Sequence, residues 1–325
     1  MIAECELKNV FRLNPQSEIR NDRKVMAVKY KLVALDVDGT LLDHQSRVGP
    51  RTRAAMARAA ARGVRFMLCT GRRYRTTIPV MKDLHLEVSV IVNSGAMVKN
   101  SVDHRTIYRN GMTMEQVLGV IESLKADGLM PTLFTDDFPD GPDFYVESDK
   151  EGNPFFLRYL ANNKDAYKVI EHFSDAPADR LIEVTVFDAG GRVEAPMRRL
   201  LDRFGDSITT QIVRFSKHGN VCDCLEILNR GASKWNALLH VAEGWGIRPE
   251  EIVAVGDQLN DLDMVQNAGL GVAMGNAVPE LKAHADIVTA TCDEDGVGVL
   301  LEDLLGTGEG PPPSPCEKRS EAFPP

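Results

Sequence analysis

The chain has 325 residues, with 38 basic and 47 acidic side chains for a net charge of −9, and 43% of its residues are hydrophobic. This composition is typical of a soluble chain of about two domains. The excess of acid argues against nucleic acid as a partner, because a phosphate backbone attracts clustered lysine and arginine. No apolar run reaches the roughly 20 residues that a membrane-spanning helix needs, so we expect no membrane partner.

Both ends of the chain differ in composition from the rest. Residues 1–25 mix charge into their apolar positions and do not resemble a signal peptide, so we predict a flexible N-terminal extension and a cytoplasmic protein. Residues 306–325 are rich in proline and glycine, which predicts a disordered tail. The six cysteines are too irregularly spaced for a disulfide framework or a CxxC zinc site, and most should be reduced, buried thiols.

Between these ends, short β-branched runs alternate with segments of helical periodicity. This pattern predicts an α/β fold with a doubly wound, Rossmann-like parallel sheet. The predicted strands are 32–35, 64–69, 88–92, 252–255, 270–274 and 287–288, and the predicted helices lie near 51–62, 74–85, 233–245, 260–268 and 295–305.

The middle of the chain has its own pattern of predicted helices and strands. A helix through Leu118 and Ile121 is followed by predicted strands and helices, namely strands near 132–135, 183–187, 208–215 and 224–227 and helices around Leu157 and Leu200. We therefore predict that residues 113–228 form a second α/β domain, inserted between the two parts of the core domain at 26–112 and 229–305. No side chain of the inserted segment stands out as one that would bind the substrate.

Two acidic residues follow the first predicted strand. Asp36 and Asp38 alternate in an extended segment and so project to the same side at the carboxyl end of a buried strand, where open α/β sheets bind ligands. One carboxylate could attack a substrate while the other transfers a proton. Gly39 allows a tight turn whose amide N–H groups can bind an anion. The alternative is a solvated acidic turn.

Three further signals fall near the ends of predicted strands or the start of a helix. Thr70 and Gly71 can hold phosphate oxygens ahead of a helix, although Thr70 could equally be an N-cap. We expect Arg73 and Arg75 to lie on a solvated helix face. Lys234 at a helix start opposes the helix dipole and so favours an anionic partner, or else it is an ordinary surface lysine.

The last signal follows the strand at 252–255. Asp257, Asn260 and Asp261 supply oxygen ligands suited to Mg²⁺, although a turn with an N-cap would use the same residues. The turn alone is the weaker alternative, because acidic groups gathered without a cation would repel one another.

Together these motifs resemble the haloacid dehalogenase superfamily, and more narrowly the Cof-type phosphatases of subclass IIB. The residues that carry the resemblance run in order along the chain: Asp36-Val37-Asp38-Gly39-Thr40-Leu41, Thr70-Gly71-Arg72, Ser233-Lys234, Gly256-Asp257, Asn260-Asp261, Gly271-Val272-Ala273-Met274-Gly275-Asn276-Ala277 and Glu294-Asp295-Gly296-Val297. Two positions depart from the family pattern. Trp235 stands where relatives usually carry a small residue, and Ser94 where many carry asparagine.

The resemblance implies a role for each site residue. Asp36 would be the nucleophile and Asp38 the general acid and base. Mg²⁺ would bind Asp36, the main-chain carbonyl of Asp38 and Asp257, with Asp261 supporting it through water. Thr70, Gly71, Lys234 and Asn260 would bind the phosphate. The inserted domain would be a C2-type cap over the active site.

The resulting hypothesis is a Mg²⁺-dependent phosphatase of small phosphorylated metabolites, such as sugar phosphates or phosphorylated cofactors, that forms an aspartyl phosphate. One alternative is a phosphomutase or phosphotransferase on the same core, with a sugar hydroxyl as acceptor. Another is a non-catalytic sensor of phosphorylated metabolites.

Overall fold

The computed structural model describes residues 29–217 and 220–306. The predicted N-terminal extension and all but the first residue of the predicted tail lie outside the described residues. Contacts divide the described chain into two compact units, the first made of residues 29–70, 79–89 and 238–306 and the second of 71–78 and 90–237. The predicted inserted domain at 113–228 and its boundaries stay a prediction.

The secondary structure alternates along the chain. The strands are β1 (Leu32–Asp36), β2 (Arg65–Cys69), β3 (Ser89–Val92), β4 (Met97–Asn100), β5 (Thr106–Arg109), β6 (Pro131–Thr135), β7 (Phe144–Val146), β8 (Tyr167–Val169), β9 (Leu181–Ala189), β10 (Ile208–Lys217), β11 (Asn220–Asn229), β12 (Ile252–Gly256), β13 (Leu270–Ala273) and β14 (Ile287–Val288). The helices are α1 (Pro50–Ala61), α2 (Tyr74–Leu84), α3 (Met114–Ala126), α4 (Pro154–Asn162), α5 (Glu194–Phe204), α6 (Lys234–Gly244), α7 (Leu262–Asn267), α8 (Pro279–His284) and α9 (Gly296–Leu305).

The first unit is built on parallel strands in the order β14-β13-β12-β1-β2. Every residue of β1 is buried, as expected for a central strand of a parallel sheet. The chain leaves β1 toward β2 and later returns to its other side as β12, so the winding direction reverses between β1 and β12. Ligands bind at such a reversal, beyond the carboxyl ends of the strands. The predicted α/β fold with a parallel-sheet core is confirmed.

The second unit contains β3-β4-β5 and a six-stranded sheet in the order β10-β11-β9-β6-β7-β8. One face of the six-stranded sheet packs against α3 and α5 through an apolar cluster that includes Leu133, Val184, Leu225, Val120 and Leu200. A row of polar residues crosses the same sheet. Thr132 of β6 pairs with Thr185 of β9, Thr185 pairs with Glu226 of β11, and Glu226 pairs with Gln211 of β10. Three of these four side chains are buried.

Most predicted elements have an observed counterpart, and the observed elements that were not predicted are short. Four strands (β4, β5, β7 and β8) and helix α8 were not predicted, because runs of three to six residues carry little periodicity. The helix predicted at 260–268 begins later, at Leu262, after a 3₁₀ turn at Leu259–Asp261. Among residues 29–217 and 220–306, none of the helices has the length and hydrophobicity to cross a bilayer.

Candidate active site

Three acidic side chains meet at the reversal point of the parallel sheet. Asp36 is the last residue of β1, and Asp257 follows β12, whose Val255 pairs with Leu35 of β1. Carboxylate oxygens of Asp36, Asp257 and Asp261 all lie within 4.8 Å of one another. All three residues are buried, with exposed fractions of 6%, 4% and 0%. The structure thus brings together three residues that lie up to 225 positions apart in the sequence (261 − 36).

The turn after β1 is fitted closely around Asp257. Gly39 has a φ of +83°, and a Cβ at this position would lie 2.5 Å from Oδ2 of Asp257. The Thr40 hydroxyl donates to Oδ1 of Asp257 over 3.3 Å, and the Asn276 amide donates to the Gly39 carbonyl over 2.8 Å. Glycine is therefore required here for both its backbone conformation and its lack of a side chain. Asp38, one residue earlier, is exposed.

The turn after β12 is held by Asp261. Its Oδ2 accepts hydrogen bonds from the backbone N–H groups of Asp257 and Gln258, over 3.0 and 3.1 Å. Asn260 is half-buried, and its Oδ1 is buried without a hydrogen-bond partner among the described residues. A buried amide oxygen without a partner costs free energy, so this atom is available to a ligand.

The acidic cluster has the chemistry of a magnesium site. Mg²⁺ prefers oxygen ligands and is usually held by one or two carboxylates together with water and phosphate oxygens. Three buried carboxylates within 4.8 Å repel one another when ionised, and a divalent cation offsets that repulsion. The residues present therefore fit the predicted cation.

The predicted phosphate-binding residues are divided between the two units. Thr70, in the first unit, is buried and directly follows Cys69, which pairs with Asp36 across β1 and β2. Gly71 and Lys234 belong to the second unit, where Lys234 is 2% exposed at the start of α6. Trp235, which departs from the family pattern, is also buried, at 8% exposure.

Sequence reasoning missed a pair of buried carboxyl groups in the second unit, Glu183 on β9 and Glu226 on β11. Asn93 donates to Glu183 over 3.1 Å, and the Ser94 hydroxyl donates to Glu226 over 2.7 Å. A Cβ added to Gly71 would lie 3.1 Å from the Ser94 hydroxyl and 3.7 Å from Oε1 of Glu226. The pair is therefore a neighbour of the proposed phosphate-binding residue Gly71.

Burial dominates the electrostatics of this pair. Burial and the neighbouring Glu226 raise the pKa of Glu183 to about 8. Burial also raises the pKa of Glu226, while hydrogen bonds from Ser94 and Gln211 and the charge of Lys234 oppose that rise. A polar residue at every second position of an otherwise apolar strand, as in Glu183-Val184-Thr185, is the sequence signal that could have identified the pair.

The expectation that Arg73 and Arg75 lie on a solvated helix face is wrong for Arg73, which is buried, whereas Arg75 is half-buried. Arg73 is only 8% exposed, and its guanidinium forms an ion pair with Asp143 over 2.5 Å and donates to Asn163. Arg75 contacts the other oxygen of Asp143 over 3.0 Å. Asp143 lies 70 positions from Arg73 in the sequence. The helical periodicity around Arg73 gives no information about so distant a partner.

Comparison with known proteins identifies the family. Residues 33–301 match the family model of haloacid dehalogenase-like hydrolases. The chain belongs to this family. A curated relative from Bacillus subtilis (strain 168), the 5-amino-6-(5-phospho-D-ribitylamino)uracil phosphatase YwtE, is 28% identical over 288 residues, which cover 85% of this chain and 98% of the relative.

Solved structures agree. A haloacid dehalogenase-like hydrolase from Bacteroides thetaiotaomicron superposes with a TM-score of 0.70 at 28% identity, covering 84% of this chain and 99% of that one. The fold also matches that of BT4131, a sugar phosphatase of subclass IIB, with a TM-score of 0.64 at 24% identity over 84% of this chain and 98% of that one. The predicted family and the predicted enzyme class, a phosphatase of the haloacid dehalogenase-like hydrolases, are confirmed.

Proposed function

We propose that this haloacid dehalogenase-like hydrolase is a Mg²⁺-dependent phosphatase that hydrolyses small phosphorylated metabolites through an aspartyl phosphate on Asp36. The observation that carries the proposal is the position of Asp36, at the reversal point of the parallel sheet and within 4.8 Å of two further buried carboxylates. A carboxylate in such a place can attack phosphorus, provided that the surrounding negative charge is offset.

Asp36, the last residue of β1, and Asp38, two residues later, would have different roles in the proposed reaction. An oxygen of Asp36 attacks phosphorus and forms a P–O bond, while the bond from phosphorus to the leaving oxygen breaks and Asp38 gives that oxygen a proton. Water then attacks the aspartyl phosphate and gives a proton to Asp38, which releases inorganic phosphate and restores Asp36. The exposure of Asp38 beside the buried Asp36 supports this division, because a proton carrier must reach the leaving group and water.

The remaining residues would hold the cation and the phosphate. Asp36, Asp257 and the Asp38 carbonyl would bind Mg²⁺, with Asp261 supporting it through water. When bound, the cation would neutralise negative charge on the phosphoryl oxygens. The residues proposed to bind the phosphate are Gly39, Thr70, Gly71, Lys234 and Asn260. The side chain of Lys234 supplies positive charge, and the backbone amides near Gly39 and Gly71 supply N–H donors.

The proposed substrates are small, and two observations support this. The relative YwtE is named for a phosphorylated ribitylaminouracil, and BT4131 for sugar phosphates. In this chain, Glu183, Glu226, Asn93 and Ser94 form a buried hydrogen-bonded group beside Gly71, and such groups suit the hydroxyls of a sugar or polyol. We propose that residues 113–228 act as a C2-type cap that excludes water from the reaction.

The proposal is tested by replacing the nucleophile. Wild-type protein and Asp36→Asn are assayed on sugar phosphates, nucleotides, flavin mononucleotide and pyridoxal phosphate, with and without Mg²⁺. We expect turnover by the wild type only with Mg²⁺, and a loss of at least about 10³-fold in Asp36→Asn, because an amide is a poor nucleophile. Phosphate transferred to Asp36 is detected by mass spectrometry after acid quench.

A matched control changes a half-buried aspartate of the same unit that lies outside the acidic cluster. Asp83→Asn removes one carboxylate that pairs with Arg53 at the surface, and it should keep wild-type turnover. Wild-type turnover by Asp36→Asn would overturn the proposal. So would transfer of phosphate to a sugar hydroxyl rather than to water as the main reaction.

A further inference from the structure

A second group of potential metal ligands lies in the first unit, apart from the acidic cluster. It consists of His44, Cys292 and Asp293, each of which offers a ligand atom within 4.8 Å of the other two. His44 Nδ1 lies 2.7 Å from Oδ2 of Asp293 and 3.9 Å from Sγ of Cys292. We propose that these three side chains form a binding site for a borderline-soft divalent cation such as Zn²⁺, distinct from the proposed Mg²⁺ site.

The donor set selects the class of metal. Imidazole nitrogen, thiolate sulfur and carboxylate oxygen together suit Zn²⁺ and its first-row neighbours, whereas Mg²⁺ prefers oxygen ligands alone. In a tetrahedral zinc site the ligand atoms are about 3.5 Å apart, given Zn–N and Zn–S bonds of about 2.1 and 2.3 Å. His44 Nδ1 lies 2.7 Å from the Asp293 oxygen and 3.9 Å from the Cys292 sulfur, which is on either side of that value. Small side-chain rotations would therefore bring these atoms to the spacing of zinc ligands.

The three side chains are already positioned by other contacts. Asp293 accepts a hydrogen bond from the backbone N–H of His44 over 3.1 Å, in addition to its contact with the imidazole. The backbone N–H of Cys292 donates to Oδ1 of Asn276 over 2.9 Å. Cys292 and Asp293 also lie in a 3₁₀ turn, Cys292–Glu294, at whose N-terminal end the backbone N–H and the hydroxyl of Thr291 donate to Oε2 of Glu294 over 3.1 and 2.8 Å. Preorganised ligands lower the entropic cost of binding a cation.

Cation binding would convert the buried Cys292 thiol into a thiolate. A bound divalent ion would offset the charge of Asp293 and stabilise the thiolate, and the thiol proton would pass to solvent. His44 and Asp293 are exposed, so an ion can reach the site directly and keep water as its fourth ligand.

One side chain links this site to the turn that carries Asp38. Asn276 accepts from the Cys292 backbone through Oδ1 and donates through its amide nitrogen to the Gly39 carbonyl over 2.8 Å. A cation bound to Cys292 would therefore lie two hydrogen bonds away from the turn after β1. Binding at the site does not depend on the proposed phosphatase activity, so the two proposals can fail separately.

The test uses the full chain, reduced, freed of transition metals and saturated with Mg²⁺ so that the acidic cluster is occupied. Co²⁺ is titrated and followed by the thiolate-to-cobalt absorption band, and Zn²⁺ affinity is measured by competition with a chromophoric chelator. We expect one equivalent of ion per chain and a thiolate band. Cys292→Ser should remove the band, and His44→Ala should weaken Zn²⁺ binding at least about tenfold.

Two controls separate this site from three of the other five thiols, those of Cys5, Cys222 and Cys316. The double variant Cys5→Ser, Cys316→Ser removes the cysteines outside the described residues, and Cys222→Ser removes a half-buried thiol of the second unit. Both should keep the band and the affinity. The proposal is overturned if the wild type shows no thiolate band, if the band survives in Cys292→Ser, or if His44→Ala binds Zn²⁺ as tightly as the wild type. Because His44 is exposed, its replacement should leave the melting temperature unchanged.

Discussion

Asp261 fixes the backbone that presents Asp257: its Oδ2 accepts the Asp257 N–H over 3.0 Å, and the same oxygen accepts the Gln258 N–H over 3.1 Å. One oxygen of Asp261 is thus used in holding the turn, while the carboxylate also belongs to the acidic cluster. The residue would therefore act on the cation in two ways, by positioning Asp257 and by adding negative charge.

Removal of this carboxylate should weaken cation binding. In Asp261→Ala we expect the Mg²⁺ concentration for half-maximal phosphatase activity to rise by about tenfold or more, as is usual when a group that orients a metal ligand is lost. Asp261→Asn keeps an oxygen that can accept the two N–H groups and should show a smaller rise. Asp263→Asn, which changes an exposed neighbour, should keep the wild-type curve. An unchanged curve in Asp261→Ala would contradict the role given to this residue.

Alanine variants of Gly39 and Gly63, which have similar backbone conformations, distinguish the effect of backbone strain from an effect on the active site. Gly39 and Gly63 have φ values of +83° and +86°, so alanine at either position should cost about 1–2 kcal/mol of stability. A Cβ at Gly39 would lie 2.5 Å from Asp257, whereas nothing lies within 4 Å of one at Gly63. We expect both variants to unfold at lower urea concentration, but only Gly39→Ala to lose activity and Mg²⁺ binding. Equal activity in the two variants would show that the contact with Asp257 does not matter.

The Glu183–Glu226 pair should make the protein less stable as the pH rises. A carboxyl group with a raised pKa keeps its proton in the folded state after the unfolded chain has lost it, so the free energy of unfolding falls with pH. For Glu183 this window runs from the ordinary glutamate pKa of 4.5 to its raised pKa of about 8. The fall from one proton cannot exceed about 1.4 kcal/mol per pH unit.

This pH dependence is measured by urea unfolding at several pH values across the window. Glu183→Gln cannot ionise and resembles the protonated acid, so its stability should fall less steeply between about pH 5 and pH 8 than that of the wild type. Glu115→Gln removes an exposed carboxylate of the same unit and should keep the wild-type slope. Parallel curves for the wild type and Glu183→Gln would rule out a titrating pair.

The buried ion pair between Arg73 and Asp143 should matter far more than an exposed one. Asp143→Ala leaves the Arg73 guanidinium buried without its carboxylate, which typically costs about 3–5 kcal/mol. Glu122→Ala breaks a pair with Arg203 whose side chains are 71% and 51% exposed, and it should cost less than about 1 kcal/mol. Urea unfolding of the two variants compares these costs, and equal losses would show that burial of the pair has no energetic consequence.

Local patterns predicted the first unit well. The apolar runs of β1 and β12 and the acidic residues that follow them lie within a few positions of one another, so strand, turn and carboxylates could be predicted together. The clustering of Asp36, Asp257 and Asp261 also followed, because the carboxyl ends of parallel strands lie at one edge of a sheet.

Contacts between distant segments were not predictable from the same patterns. The sequence around Arg73 predicts a solvated helix face, whereas Arg73 is buried by distant residues that include Asp143 and Asn163. Glu183 and Glu226 lie on different strands, and their proximity depends on the pairing of β9 with β11. Likewise, Cys292 resembles an isolated buried thiol until folding brings His44 within 3.9 Å of it.

The sequence by itself determined the family, the parallel-sheet core and the identity of the acidic residues at its edge, because these depend on hydrophobic periodicity and on short motifs within single segments. Only the tertiary structure decided which polar side chains lie close together, whether both are buried, as in the Glu183–Glu226 pair, or only one is, as with Cys292 beside the exposed His44 and Asp293. The physical reason is that the free energy of a buried charge or ligand depends on its partners, and those partners come from segments that the chain brings together only when it folds.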